Sequence, residues 1–208
     1  MRHKGILVVV SGFSGAGKGT LMKRMVQDYH NYALSVSMTT RKPRPGETEG
    51  KEYFFVATEE FEKKIEENGL IEYACYCGNY YGTPREYVEK QLEMGKDVIL
   101  EIEIQGALKV KKQFPEALLL FVMPPSASEL KKRLEKRGTE TEEVITQRLK
   151  RAVEEADGIE NYDFIVINDK LDQCVQEMHS IVLAAHEAPV RNQEFISSIR
   201  KELEAFVK

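Results

Sequence analysis

A glycine-rich stretch at residues 12–20 constrains this chain more than any other part of its sequence. The apolar run before it, residues 6–10, is typical of a strand buried on both faces, and apolar residues at helical spacing follow it. Glycines let successive backbone N–H groups turn inward around an anion, and Lys18 adds a full positive charge at the start of the helix. A glycine-rich turn without a ligand is the alternative, but strand, glycine loop and helix in this order predict a nucleotide-phosphate site.

Composition excludes several other classes of protein. The formal charge of −4 gives no general attraction to nucleic acid, and no apolar run approaches the ~20 residues that span a bilayer. Because the run at residues 6–10 leads straight into the glycine loop, we interpret it as a strand rather than a signal peptide. Cys75, Cys77 and Cys174 match no zinc spacing, so we expect reduced thiols in a cytoplasmic protein that contacts neither nucleic acid nor membrane.

The predicted fold class is α/β. Strands and helices alternate at both ends of the chain, whereas strands at 52–56 and 70–74 and a turn at 79–84 lie close together. We expect a parallel-sheet core from residues 1–36, 91–125 and 164–208, and an inserted α+β lobe at 37–90. Two charged helices hinged at residues 137–138 predict a lid at 126–163. The last helix, 192–208, is expected on the outside of the core or frayed.

Two further segments place charged side chains at positions where we expect ligands to bind. Residues 98–103 predict a strand whose end places Glu101 and Glu103 on one face, and ligands in open α/β sheets bind at such carboxyl ends. Residues 38–46 contain two prolines and a glycine and therefore predict a loop. Arg41 and Arg44 on this loop have planar forks that suit a phosphate dianion.

Taken together, the motifs resemble the guanylate kinase family over nearly the whole chain, up to about His186. The resemblance implies the reaction ATP + GMP ⇌ ADP + GDP with Mg²⁺, with dGMP as a further acceptor, and it leaves a homodimer open. The glycine and threonine after Lys18 are common in nucleotide kinases. The motifs are found at residues 14–20, 35–46, 53–55, 78–83, 101–106 and 137–141.

The resemblance also implies roles for individual residues. Thr20 would hold Mg²⁺, and Glu101 would contact the ion through a water molecule. The family often has aspartate at 101 and 103 and proline at 13, so the chain departs from the pattern at these positions. By resemblance, the ATP site comprises Ser14, Gly15, Ala16, Gly17, Lys18, Gly19, Thr20 and Asn168. The GMP site comprises Ser37, Arg41, Arg44, Tyr53, Glu72, Tyr81, Thr83, Glu101 and Glu103. The catalytic cations are Lys18, Arg41, Arg137 and Arg148.

The choice of base follows from donor and acceptor patterns. Guanine presents two adjacent donors, which one carboxylate accepts, and the resemblance implies that Glu72 is this carboxylate; adenine would place an acceptor there. Adenylate kinase shares the loop and is the nearest alternative. A non-catalytic guanylate-kinase-like binding module is the other, although such modules typically lose loop residues and this chain keeps Lys18. A GTPase switch would carry an Asn-Lys-x-Asp motif, which the sequence lacks.

Overall fold

Two sheets of different kinds organise the computed structural model, which describes residues 4–76, 78–136 and 141–207. In this part of the chain the strands are β1 Leu7–Gly12, β2 Tyr32–Leu34, β3 Met38–Thr39, β4 Phe54–Phe55, β5 Leu70–Tyr76, β6 Asn79–Pro84, β7 Asp97–Glu101, β8 Leu118–Met123 and β9 Phe164–Ile167. The helices are α1 Lys18–Asp28, α2 Thr58–Glu66, α3 Arg85–Glu93, α4 Ile104–Gln113, α5 Ala127–Lys136, α6 Glu142–Ala156, α7 Leu171–His186 and α8 Gln193–Phe206. The larger sheet is parallel, with the order β2–β7–β1–β8–β9, and confirms the predicted α/β class.

The central strand β1 is buried on both faces and divides the core into two layers. Val8 and Val10 pack with residues of α1 and α7 on one face of the sheet. Leu7 and Val9 pack with residues of α3 and α4 on the other face. Because side chains alternate along a strand, one continuous apolar run supplies both layers. The core is therefore an α/β/α stack with β1 at its centre.

The smaller sheet has the order β4–β3–β6–β5 and a small apolar core of its own. Met38, Phe61 and Leu70 are buried there, and the Phe61 ring stacks on Tyr80 with centroids 5.1 Å apart. The following helix, α3, buries Val88 and Leu92 against the larger sheet instead. The inserted segment thus has its own sheet and ends in a helix that packs on the central core.

Three local predictions are wrong. Residues 79–84 form strand β6 rather than a turn, because pairing with β5 and β3 overrides the turn signals of Gly82 and Pro84. Strand β7 ends at Glu101 and Glu103 is the N-cap of α4, so strand alternation does not relate these two acids. The sequence also predicts Thr58 as the N-cap of a helix, but Thr58 is the first residue of α2 and Ala57 is its N-cap.

The helices of the predicted lid differ from one another. The sequence predicts that both are rich in charge and poor in apolar faces, but α5 buries Leu130 and Leu134 in the layer that contains α1 and α7. Helix α6 buries less, with Ile145 and Ala152 as its buried residues.

Helix α8 lies on the outside, as predicted, and buries no residue. None of the described helices is long and apolar enough to cross a membrane.

Asp97, the first residue of β7, connects three segments at the end of the sheet opposite the glycine loop. Its side chain is buried, and Oδ1 accepts the backbone N–H of Ile6 at 2.8 Å. Oδ2 accepts the side-chain amide of Asn31 at 3.1 Å, and His186 Nε2 lies 2.9 Å from Oδ1. This carboxylate therefore holds the approach to β1, the segment after α1 and the end of α7 together.

Replacing Asp97 with alanine is expected to lower the free energy of unfolding by about 1–3 kcal/mol, because the Ile6 N–H is left buried without its acceptor. Urea denaturation measures the change. The turnover of the folded fraction should stay the same, since Asp97 lies far from the loop along the strand. Asp28→Ala is the control: its exposed pair with Arg24 should contribute less than about 0.5 kcal/mol. An Asp97→Ala protein as stable as wild type would contradict this account.

Candidate active site

The glycine loop runs from β1 into α1 and is supported from the end of β9. Gly17 has a φ of 88°, a left-handed conformation that favours glycine, and a Cβ atom there would approach Asn168 Nδ2 to 2.6 Å. The same buried amide donates to the carbonyl oxygen of Ala16 at 2.8 Å. The side chain of Asn168, which the resemblance places in the ATP site, therefore binds the backbone of the loop itself.

The loop is also held from within and from the core. Lys18 Nζ donates to the carbonyl oxygen of Gly12 at 2.7 Å and to that of Phe13 at 3.2 Å. Phe13 is buried, and its ring meets that of Phe121 edge to face at 5.1 Å. Where the family often has proline, this chain thus anchors the loop by inserting an aromatic ring between sheet and helices.

A cleft of about 830 Å³ opens beside the loop. Residues of the loop, the end of β7 and α6 line it, together with Tyr53 from the smaller lobe. Arg148 on α6 reaches across to the loop, where its Nη1 donates to Ser14 Oγ at 2.7 Å. The cleft brings six predicted site residues together: Ser14, Lys18, Tyr53, Glu101, Glu103 and Arg148.

The two acids after β7 have different surroundings. Glu101 is accessible from the cleft, yet enough protein surrounds it for burial to raise the pKa of its carboxyl, and the charge of Lys18 opposes that rise. Glu103 is largely exposed, and its Oε1 lies 2.6 Å from Nη2 of Arg151 on α6. Arg151 also pairs with Glu155 at 3.3 Å. Glu101 thus faces the cleft near Lys18, whereas Glu103 connects α4 to α6.

The residues assigned to guanine meet in the smaller sheet. Thr83 Oγ1 on β6 donates to Glu72 Oε1 on β5 at 2.8 Å. Burial raises the pKa of the Glu72 carboxyl, and the hydrogen bond from Thr83 opposes that rise. Ser37 immediately precedes β3, which pairs with β6, so its backbone lies beside that of Thr83. A half-buried carboxylate and two hydroxyl residues therefore share one region of this sheet.

Arg41 lies on the loop after β3 among aromatic rings and a carboxylate. Its Nη1 and Nη2 are each 2.9 Å from the carboxylate of Glu47. The guanidinium lies 5.4 Å from the centroid of the Tyr53 ring, which is 5.9 Å from that of Tyr81. Glu47 raises the pKa of Arg41, and a hydrogen bond to Tyr81 raises it further. Arg44 is exposed on the same loop, and its backbone N–H donates to Glu47.

Sequence reasoning missed three side chains that contact the predicted site. Glu47 pairs with Arg41 six positions earlier in an irregular loop, where no local sequence signal indicates the pair. Arg133 Nη1 on α5 reaches the Ala16 carbonyl oxygen at 3.4 Å, a contact without a local sequence signal. Arg151 follows Arg148 by three residues and lies on the same face of α6, which helical spacing could have indicated.

Two other predicted residues have less structural context. Thr20 is exposed in the first turn of α1, two residues after Lys18. Arg137 was predicted to be a catalytic cation on the lid and lies outside the described residues.

The fold and the cleft define a class of protein. A parallel sheet with a glycine loop between its first strand and helix, and cations from separate segments around the loop lysine, is the arrangement of phosphate-loop proteins that transfer phosphoryl groups. Residues 4–185 match the family model for guanylate kinase. The chain therefore belongs to the guanylate kinase family, whose enzymes transfer a phosphoryl group from ATP to GMP.

Individual relatives agree over nearly their full lengths. The guanylate kinase of Caldanaerobacter subterraneus subsp. tengcongensis is 48% identical over 202 residues, which are 97% of this chain and 98% of the relative. The guanylate kinase of Oceanobacillus iheyensis is 46% identical over 204 residues, 98% of each chain. The crystal structure of guanylate kinase from Anaplasma phagocytophilum superimposes with a TM-score of 0.71 at 32% identity, over 91% of this chain and 90% of that one.

Asn168→Ala is expected to raise the KM for ATP roughly 3- to 10-fold, because the loss of one neutral hydrogen bond loosens the phosphate loop. Because the contact is with the loop and not with a base, the KM for GTP, offered as an alternative donor, should rise by the same factor. Steady-state kinetics with both donors provide the comparison, and Asp169→Ala, an exposed neighbour, is the control. A loss for ATP but not for GTP would instead indicate that Asn168 contacts adenine.

Proposed function

We propose that this chain transfers the γ-phosphoryl group of ATP to GMP, and also to dGMP, across the cleft between the phosphate loop and the smaller lobe. The observation that carries the proposal is the shared cleft, in which Tyr53 of the smaller lobe and Lys18 of the loop line the same cavity. Tyr53 also contacts Arg41, so the two phosphate-binding regions face each other. No strong general base is needed, because the acceptor is already an anion.

On the donor side, backbone N–H groups of residues 14–20 would cradle the phosphates, with Lys18 at the transferred group. The described residues contain no cluster of three acidic, histidine or cysteine side chains that could hold a metal ion. Mg²⁺ would therefore depend on the phosphates of the nucleotide, with the Thr20 hydroxyl and, through water, Glu101. Held by these residues, the ion would supply positive charge to the phosphates of ATP. Arg137 and Arg148 would add positive charge to the phosphoryl group in flight.

On the acceptor side, Arg41, Arg44, Tyr53 and Tyr81 would bind the phosphate of GMP. Glu72 would accept the two adjacent donors of guanine, while the hydroxyl of Thr83 is already directed at its carboxylate. Adenine would leave a buried carboxylate facing an acceptor, which costs several kcal/mol and excludes AMP. None of these assignments involves the ribose 2′-hydroxyl, so dGMP should also be accepted.

The division into a core, a GMP lobe at 37–90 and a lid at 126–163 remains our proposal for how the site closes. Within the lid, α6 is the helix that carries Arg148 and lines the cleft. Helix α5 would act as its support, because Leu130 and Leu134 fix it to the core. We further propose a cytoplasmic location, supported by the free thiols of Cys75 and Cys174.

An acceptor panel tests the proposed reaction. ADP formation from Mg-ATP, measured with GMP, dGMP, AMP, CMP and UMP separately, should give a kcat/KM for GMP at least about 10³-fold above that for AMP, because adenine would present an acceptor to the Glu72 carboxyl oxygens.

A preference for AMP would overturn the assignment of Glu72 while leaving the phosphate loop in place. If no acceptor is turned over by protein that still binds GMP, the non-catalytic binding module becomes the better description.

Glu72→Gln is expected to raise the KM for GMP roughly 10- to 100-fold, because one charge-assisted hydrogen bond is lost and the amide places a donor against a guanine donor. The KM for ATP should not change. The melting temperature should not fall either, since burial disfavours the charged carboxylate that the substitution removes. Glu59→Gln, on the exposed face of α2, is the control.

The pH dependence of GMP binding provides a second readout. Because the pKa of Glu72 is raised, its carboxyl gains a proton at a higher pH than an exposed glutamate does. The wild-type KM for GMP should therefore rise as the pH falls through this raised pKa, and Glu72→Gln should lack that dependence. A mutant with unchanged GMP kinetics would remove Glu72 from the base pocket.

A further inference from the structure

The loop between β3 and β4 closes around a single carboxylate. Glu47 Oε2 accepts both the Nη1 hydrogen of Arg41 at 2.9 Å and the backbone N–H of Arg44 at 2.7 Å. Its Oε1 accepts from Nη2 of Arg41 at 2.9 Å, and its own N–H donates back to the Arg44 carbonyl oxygen at 3.0 Å. One side chain thus connects both arginines that the proposed function assigns to the acceptor phosphate.

The contacts use a particular part of the guanidinium. Arg41 has five N–H donors; Nη1 uses one on Glu47 and one on the Lys42 carbonyl oxygen at 2.7 Å, and Nη2 uses one on Glu47. These three contacts do not use the Nε hydrogen or the second Nη2 hydrogen, and the Tyr81 hydroxyl also hydrogen-bonds to this guanidinium. The Nε and second Nη2 hydrogens lie side by side on one edge, which is the fork geometry that matches two oxygens of a phosphate.

The pair is also shielded from water. The side chains of Arg41 and Glu47 are only 15% and 18% exposed, and the rings of Tyr53 and Phe55 lie 5.4 and 5.9 Å from the guanidinium. Arg41 lowers the pKa of the Glu47 carboxyl, so the carboxylate stays charged across the neutral range. An arginine held in this way has lost its rotamer freedom before a substrate arrives.

We infer that Glu47 is the positioning residue of the acceptor-phosphate site: it holds the end of the Arg41 guanidinium so that the side edge is presented to the phosphate, and it fixes the backbone of Arg44 in the same loop. The inference rests on the proposed assignment of these arginines to the phosphate of GMP. The opposite role is that Glu47 occupies the place of the phosphate and competes with it. The two roles predict opposite effects of removing its charge.

The test compares Glu47→Gln with Glu52→Gln. Glu52 lies in the same loop, its Oε2 accepts the Thr48 N–H at 2.7 Å, and its replacement changes the net charge equally. Binding of GMP and of guanosine is measured by titration calorimetry or competition, together with the kinetics for GMP and ATP. Positioning predicts that Glu47→Gln weakens GMP by about 10- to 100-fold, the effect of disturbing a charged hydrogen-bond network, and leaves guanosine and the KM for ATP unchanged.

Glu52→Gln should leave the ratio of GMP to guanosine affinity at the wild-type value. Tighter or unchanged GMP binding in Glu47→Gln would overturn the inference, and tighter binding would favour competition. An equal loss for GMP and guanosine would also overturn it, because the lobe as a whole would then have been disturbed. Wild-type turnover of GMP, measured alongside, tests the proposed function separately: if it is present, a negative result concerns Glu47 alone.

Discussion

The parallel pairing of β1 with β7 and β8 is the constraint on which the rest of the structure depends. Val10 lies opposite Glu101, and Gly12 lies opposite Val122, so the phosphate loop begins between the ends of two buried strands. A Cβ atom at Gly12 would come within 2.0 Å of the Val122 carbonyl oxygen, so this pairing of the two strands requires glycine at position 12. The position of Lys18 relative to Glu101 therefore follows from strand pairing in the core and not from the loop alone.

Many charged side chains lie in or beside the cleft, and several of them form ion pairs with other side chains of the protein. Arg41 pairs with Glu47, and Arg151 pairs with Glu103 and Glu155. Such pairing is physically necessary, because two polyanions require a high density of cations and an unpaired guanidinium in a partly dry cleft is costly. It also fixes geometry: a guanidinium held by a carboxylate at one edge presents the other edge to a ligand in a defined direction.

The sequence predicts those features that depend on local pattern, and tertiary contacts decide the remainder. The buried strands, the phosphate loop and α7 follow from apolar periodicity and glycine spacing. Strand β6 was missed because its glycine and proline indicate a turn, whereas pairing on both edges stabilises a strand. The clamp from Asn168 to Ala16 spans 152 positions along the chain, so no local motif predicts it. The pair of Arg41 and Glu47 spans six residues, but only the folded loop shows which charges meet.

Helix α6 contacts both the phosphate loop and the start of α4. Arg148 reaches Ser14 on the phosphate loop, and Arg151, almost one turn further along, reaches Glu103 at the start of α4. Since a helix moves as a unit over three residues, any displacement that changes one of these contacts also changes the other. The small buried face of α6, Ile145 and Ala152, resists such a displacement less than the fully buried Leu134 of α5 does. Apolar contact with the core therefore diminishes from α5 to α6, whereas α6 makes the ionic contacts with the cleft.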